Sequence, residues 1–107
     1  MDKRTDILSG KQKKYLKALA HPLEPVVWLG KDGLSVQAIG TVGLELARHE
    51  LIKVKIGANS GLEKDEVAIT LANATGSHLV QTIGKIIVLY KENPKRPKEE
   101  RVRPPQA

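Results

Sequence analysis

Val26-Val27-Trp28-Leu29-Gly30-Lys31-Asp32-Gly33-Leu34-Ser35 reads as three things in succession. A short apolar strand over 26–29 runs into a loop bracketed by two glycines, and Ser35 then opens a helix as an N-cap residue. Glycine lets the chain turn sharply and brings backbone N–H groups close to a ligand. The helix start adds N–H groups without intrahelical partners and the positive end of the helix dipole, both suited to a phosphate oxygen. Lys31 supplies a cation between the glycines. Asp32 reads as a loop former whose side chain stabilises the turn. Trp28 either packs beneath the loop or stands exposed as a stacking platform; a lone Trp in an apolar strand is expected in the core.

Downstream, the pattern predicts how this unit closes. A second helix is expected from Ser35 to about Glu50, with Val36, Ile39, Gly43, Leu46 and Ala47 on one side and Gln37, Thr41, Glu45 and Arg48 on the other. Gly43, on the apolar side, is expected to allow close approach to a sheet. Leu51–Ile56 then alternate, with Ile52, Val54 and Ile56 on one face and Lys53 and Lys55 on the other. Strand, helix and strand at this length predict a parallel pair. After a loop over 57–61, Ser60 with Glu63 forms a capping box for a third helix. That helix is expected to bury Val67, Ala68, Leu71 and Ala74, with Ile69 off the stripe, and to stop at Gly76. Leu79–Ile83 and Lys85–Tyr90 flank Gly84 as a hairpin. Ile86-Ile87-Val88-Leu89 is apolar on both faces and should lie inside the sheet.

Upstream, Ser9 and Gln12 form another capping box. The helix that follows places Gln12, Tyr15, Leu16 and Leu19 on one face and Lys13, Lys14 and Lys17 on the opposite one. Those three lysines, with no acidic residue among them, read as a phosphate-facing ridge. Pro22 and Pro25 end this helix and lead into an extended segment. The order is therefore α-β-α-β-α-β-β, an α/β two-layer arrangement over 8–91. Residues 1–7 form an N-terminal extension, and 92–107 a basic, proline-rich, flexible tail.

Composition narrows the function. The 107 residues carry a formal charge of +6 and no cysteine, which removes disulfides and thiolate chemistry and suits a reducing compartment. The basic residues concentrate at the ends: Lys3, Arg4, Lys11, Lys13, Lys14 and Lys17 near the start, and Lys91, Lys95, Arg96, Lys98, Arg101 and Arg103 near the finish. Basic ends on a near-neutral body point to a polyanion partner. No stretch approaches a bilayer span, so a cytoplasmic location is expected and no membrane partner. His21, His49 and His78 lack metal-ligand spacing. No phosphate-loop or dinucleotide fingerprint occurs, and no second group is placed to work with Asp32. Neither catalytic residues, metal, cofactor nor small-molecule substrate is therefore expected. One Trp, two Tyr and no Phe make an aromatic stacking sheet of the RRM kind improbable. A backbone clamp of the KH kind, built on Gly-x-x-Gly, needs no aromatics.

Three segments together are more specific: Val27-Trp28-Leu29-Gly30-Lys31-Asp32-Gly33-Leu34, His49-Glu50-Leu51-Ile52-Lys53-Val54-Lys55, and Val80-Gln81-Thr82-Ile83-Gly84-Lys85-Ile86-Ile87-Val88-Leu89-Tyr90. With Leu8-Ser9-Gly10-Lys11-Gln12 and Ala20-His21-Pro22-Leu23, they resemble the CRM domain of the single-domain bacterial YhbY-like family, from about Leu8 to Lys91. The resemblance implies a mixed four-stranded sheet related to the C-terminal domain of translation initiation factor 3. It also implies RNA binding, with Gly30–Gly33 matching the family's Gly-x-x-Gly. Bacterial members are linked to large-subunit precursors, and plant organellar relatives to intron splicing. The expected partner is RNA, ribosomal RNA of large-subunit precursors in particular, bound by a monomer without catalysis. Gly30, Lys31, Asp32 and Gly33 would form the clamp, Lys13, Lys14 and Lys17 would extend it, and Lys53, Lys55 and Lys85 follow as further candidates. The competing expectation is a module docking an acidic ribosomal or translation protein.

Overall fold

Local signals set most of the element boundaries in the computed structural model, which describes residues 8–58 and 60–105. The extension read over 1–7, Asn59 and the end of the chain at 106–107 lie outside the described residues. Helix α1 (Gly10–Ala20) begins with the predicted capping box: Ser9 Oγ accepts the Gln12 N–H at 3.1 Å, and Gln12 Oε1 accepts the Ser9 N–H at 2.9 Å. Helix α2 (Val36–His49) begins where Ser35 Oγ accepts the Ala38 N–H at 3.0 Å. Helix α3 (Lys64–Thr75) starts later than the Ser60 capping box predicts. Glu63 is its N-cap, its carboxylate accepting the N–H groups of Asp65 and Glu66, while Ser60 Oγ is occupied by the Leu62 N–H. A carboxylate at this position both caps and opposes the helix dipole. Gly76 ends α3 at φ +67°, as expected, and Lys91 Nζ donates to the Thr75 carbonyl at 2.8 Å.

The strands are β1 (Val27–Leu29), β2 (Leu51–Ile56), β3 (His78–Ile83) and β4 (Ile86–Tyr90), arranged in the order β1-β2-β4-β3. β1 and β2 run parallel, and the other two pairings are antiparallel. The sheet is therefore mixed, and the apolar β4 lies inside it. One face packs Val27, Leu29, Ile52, Val54, Ile56, Ile87 and Leu89 against Val42 and Leu46 of α2 and Val67, Ala68 and Leu71 of α3. On the other face, α1 crosses β2, β4 and β3, burying Leu16 and Ala20 on Leu51, Val80, Val88 and Tyr90. The sheet with α2 and α3 forms the expected two layers, and α1 covers part of the remaining face.

Where the helical stripes differ from expectation, the crossing position on the sheet decides. In α1, Leu16 and Ala20 are buried, whereas Tyr15 and Leu19 are 38% and 39% exposed. In α2 the core residues are Val42 and Leu46; Val36, in the first turn, is 89% exposed and Ala47 is also exposed. In α3, Ala72 and Thr75 are buried and Ala74 is not. A Cβ at Gly43 would meet nothing within 4 Å, so that glycine is not required for close packing.

The segment after Lys91, read as an extended tail without a core, lies against the body. Glu50, fully buried at the end of α2 with φ +65°, organises it. Its carboxylate accepts the N–H of Asn93 at 2.7 Å, the N–H of Val102 at 2.8 Å and Arg96 Nη1 at 3.0 Å. Arg101 Nε approaches to 3.8 Å, an ion-pair distance rather than a hydrogen bond, and Arg101 Nη2 pairs with Glu92 at 3.2 Å. Val102 packs on the α1 side of the core, and Gln12 Nε2 donates to the Pro105 carbonyl at 3.0 Å. Charged and backbone groups together satisfy the buried carboxylate, the condition under which such a group is tolerated.

Candidate nucleic-acid interface

The loop after β1 closes through a hydrogen bond from Gly33 N–H to the Gly30 carbonyl at 3.0 Å. Gly33 sits at φ +61°, and a Cβ there would lie 3.3 Å from Leu62 Cδ2. Its left-handed conformation favours glycine, and a side chain there would also have to displace Leu62 slightly. Gly30 is different: its φ is not in the left-handed region, and a Cβ would meet nothing within 4 Å. No close packing requires glycine at 30, and the space beyond its Cα is open. Lys31 and Asp32 are both exposed at the tip.

Backbone contacts tie this loop to its neighbours. Gly57 N–H donates to the Leu29 carbonyl and Ile56 N–H to the Lys85 carbonyl, each at 2.8 Å. A Cβ at Gly57 would come 3.1 Å from the Leu29 oxygen, so the ends of β1 and β2 meet this closely only through glycine. As a result the 30–33 loop, the end of β2 and the β3–β4 turn occupy one end of the sheet. That brings Lys31, Lys55 and Lys85 to the same end, all exposed. Ser35 takes the Ala38 N–H, and the first turn of α2 begins immediately beyond the loop.

The α1 lysines sit on the sheet face that α1 covers. Gln12 on one flank of α1 bonds the chain end at Pro105, and Leu19 on the same flank lines a hollow with Leu51 and Val102. Since α1 crosses the strands, the opposite flank, with Lys13 and Lys17, turns toward the end of the sheet that carries the loop. Lys14 and Lys17 are exposed and Lys13 is half-buried. No ion pair engages these three among the described residues. Lys53 is half-buried, and its Nζ donates to the His21 carbonyl at 3.1 Å at the end of α1.

Trp28 corrects the core expectation, being 63% exposed. Val27 and Leu29 both point into the α2–α3 core, so strand alternation sends the residue between them outward. That period was present in the sequence, and the apolar character of the whole run obscured it. The histidines stay apart: His49 Nε2 lies 3.5 Å from Glu45, and His78 stacks on Tyr90 with ring centres 6.3 Å apart. Among the described residues, no cluster of three or more His, Cys, Asp or Glu could hold a metal, and no helix is long and apolar enough to cross a membrane.

Helices on both faces of a mixed sheet, with a glycine turn and three exposed lysines at one end of it, define a small α/β module. The chain belongs to the CRS1/YhbY (CRM) domain family, whose model matches residues 8–91. It is 44% identical over 87 residues to "Probable RNA-binding protein YqeI" of Bacillus subtilis, covering 81% of this chain and 91% of that protein. It is likewise 44% identical over 93 residues to an RNA-binding protein of Haemophilus influenzae, covering 87% and 89%. The solution structure of the Staphylococcus aureus protein SAV1595 superposes with a TM-score of 0.76 at 43% identity, over 92% of this chain and all of that one.

Proposed function

We propose that this protein is a non-catalytic RNA-binding protein that binds ribosomal RNA in precursors of the large ribosomal subunit during assembly. The observation that carries the reading is Gly30: a glycine the fold does not need, at the mouth of a turn, with exposed lysines around it. Its backbone would take a phosphate at close range, with Lys31 supplying charge and the start of α2 supplying N–H groups. Lys55 and Lys85 would hold the neighbouring phosphates, and Lys13, Lys14 and Lys17 would extend the electrostatic footprint along α1. Relatives named as RNA-binding proteins support the RNA class. Contacts of this kind are made to phosphates and not to base edges, so binding should be steeply salt-dependent.

Sedimentation of cell extract through a density gradient tests the assembly role. The protein is expected with large-subunit precursors and absent from mature subunits. Sedimentation as free protein, with precursors present in the same gradient, would remove the ribosomal part of the reading.

A further inference from the structure

We propose that the uncovered part of the α1-side sheet face is a platform for one unpaired RNA base, with Trp28 stacking on the base and Lys55 holding its phosphate. The proposal rests on the RNA reading above and adds to it a second kind of contact, made to the base and not to the backbone.

Strand register builds the platform. Trp28 pairs with Lys55, Lys55 with Ile86, and Ile86 with Ile83, a single row across all four strands. Directly paired residues share a face, and the row lies on the α1 side of the sheet, with Ile86 half-buried against the α1 cluster and Trp28, Lys55 and Ile83 left exposed. Trp28 is 63% exposed and Ile83 54%. An exposed indole and an exposed isoleucine at opposite ends of one row do not serve the core, whose residues on these strands point the other way or lie beneath α1.

The chemistry of the row selects its occupant. The four strands contain no Asp or Glu. The only charge in the row is Lys55, in register with the indole, while Lys31 and Lys85 border the same end of the sheet. Asp32 beside Lys31 and Glu63 near Lys85 are the carboxylates at that end, but within the row the indole has only a lysine beside it, which suits a group that is flat and apolar on its face and anionic at its edge. A nucleotide has that form, and stacking on an aromatic side chain accepts any base. Trp28 also directly precedes the Leu29–Gly30 step into the loop. A strand whose phosphate sits at Gly30 could therefore lay its next base on the sheet.

The chain has a single tryptophan, so its emission reports on this site alone. The full chain is titrated at one salt concentration with single-stranded oligouridylate and with an abasic ribose-phosphate chain of equal length. Trp28→Ala and Trp28→Phe are titrated in parallel by anisotropy. Oligouridylate is expected to quench Trp28 and to bind about tenfold more tightly than the abasic chain. Trp28→Ala should lose about that factor for oligouridylate and nothing for the abasic chain, and Trp28→Phe should recover most of it. Equal quenching by both chains, or wild-type affinity in Trp28→Ala, would overturn the platform while leaving the phosphate clamp standing. Failure of both polymers to bind wild type would overturn the RNA reading and the platform with it. Self-association that Trp28→Ala abolishes, with RNA affinity kept, would assign the face to a second copy of the chain and also overturn the proposal.

Discussion

At Gly33 the backbone stands at φ +61° against Leu62, while at Gly30 the space beyond the Cα is open. Substituting Gly33 therefore mixes two effects, because a side chain in the left-handed region costs about 1–2 kcal/mol before any ligand is considered. Gly30 carries no such penalty and is the cleaner probe of contact. Tyr90 offers a second residue-level test, independent of RNA. Burial, reinforced by the Glu50 and Glu92 carboxylates and partly opposed by Arg101, pushes its hydroxyl up to about 12 from 10.0. The unfolded chain thus releases this proton near pH 10 while the folded chain keeps it to about pH 12. Protons bound to the folded state in excess make stability fall as pH rises across that window, and leave it unchanged below. Urea unfolding at a series of alkaline pH values should show this decline, and Tyr90→Phe should flatten it relative to wild type.

Among elements, the segment 92–105 is bound to the body chiefly around the Glu50 carboxylate, with Val102 packed on the core and Pro105 held by Gln12. Removing a partner from a buried ion pair costs about 3–5 kcal/mol, so Glu50→Ala should lower stability by about that much. Ending the chain after Lys91 should also destabilise it. The two changes together should cost far less than their sum, since the truncated chain no longer holds the groups Glu50 satisfies. Chemical unfolding of the four chains measures the coupling; simple additivity would contradict the clasp.

This clasp also shows where sequence reading reached its limit. The capping box at Ser9, the stop at Gly76 and the interior position of β4 depend on neighbours within a few residues, and all were legible. The partners of Glu50 lie 43 to 52 positions away, and no local pattern marks them. Prolines and charges in 92–107 suggest a segment without its own core, but they do not exclude one that borrows another's, as residues 93–105 do here. The lysines were legible as types, whereas their grouping was not. Lys31, Lys55 and Lys85 come to one end of the sheet because of backbone stitching at Gly57 and Ile56, and Lys53 bonds the His21 carbonyl at the end of α1.

For the whole molecule, the fold sorts a charge of +6 into two groups that composition could not separate. At the chain end, Arg96 and Arg101 are tied to Glu50, Glu92 and Glu100. The lysines of α1 and of the loop end of the sheet have no ion pairs among the described residues, and Lys13 and Lys17 lie on the α1 flank away from Pro105. The central claim is that this turn grips phosphate. It is tested most directly by measuring affinity for a ribosomal RNA fragment across a salt series, for wild type, Lys31→Ala and Gly30→Asp. A phosphate-gripping turn gives a steep wild-type salt dependence, a slope shallower by about one for Lys31→Ala, and a loss of about tenfold or more for Gly30→Asp with unfolding stability retained. Wild-type affinity and slope in both variants would contradict it, leaving the turn a structural corner and placing the RNA elsewhere on the surface.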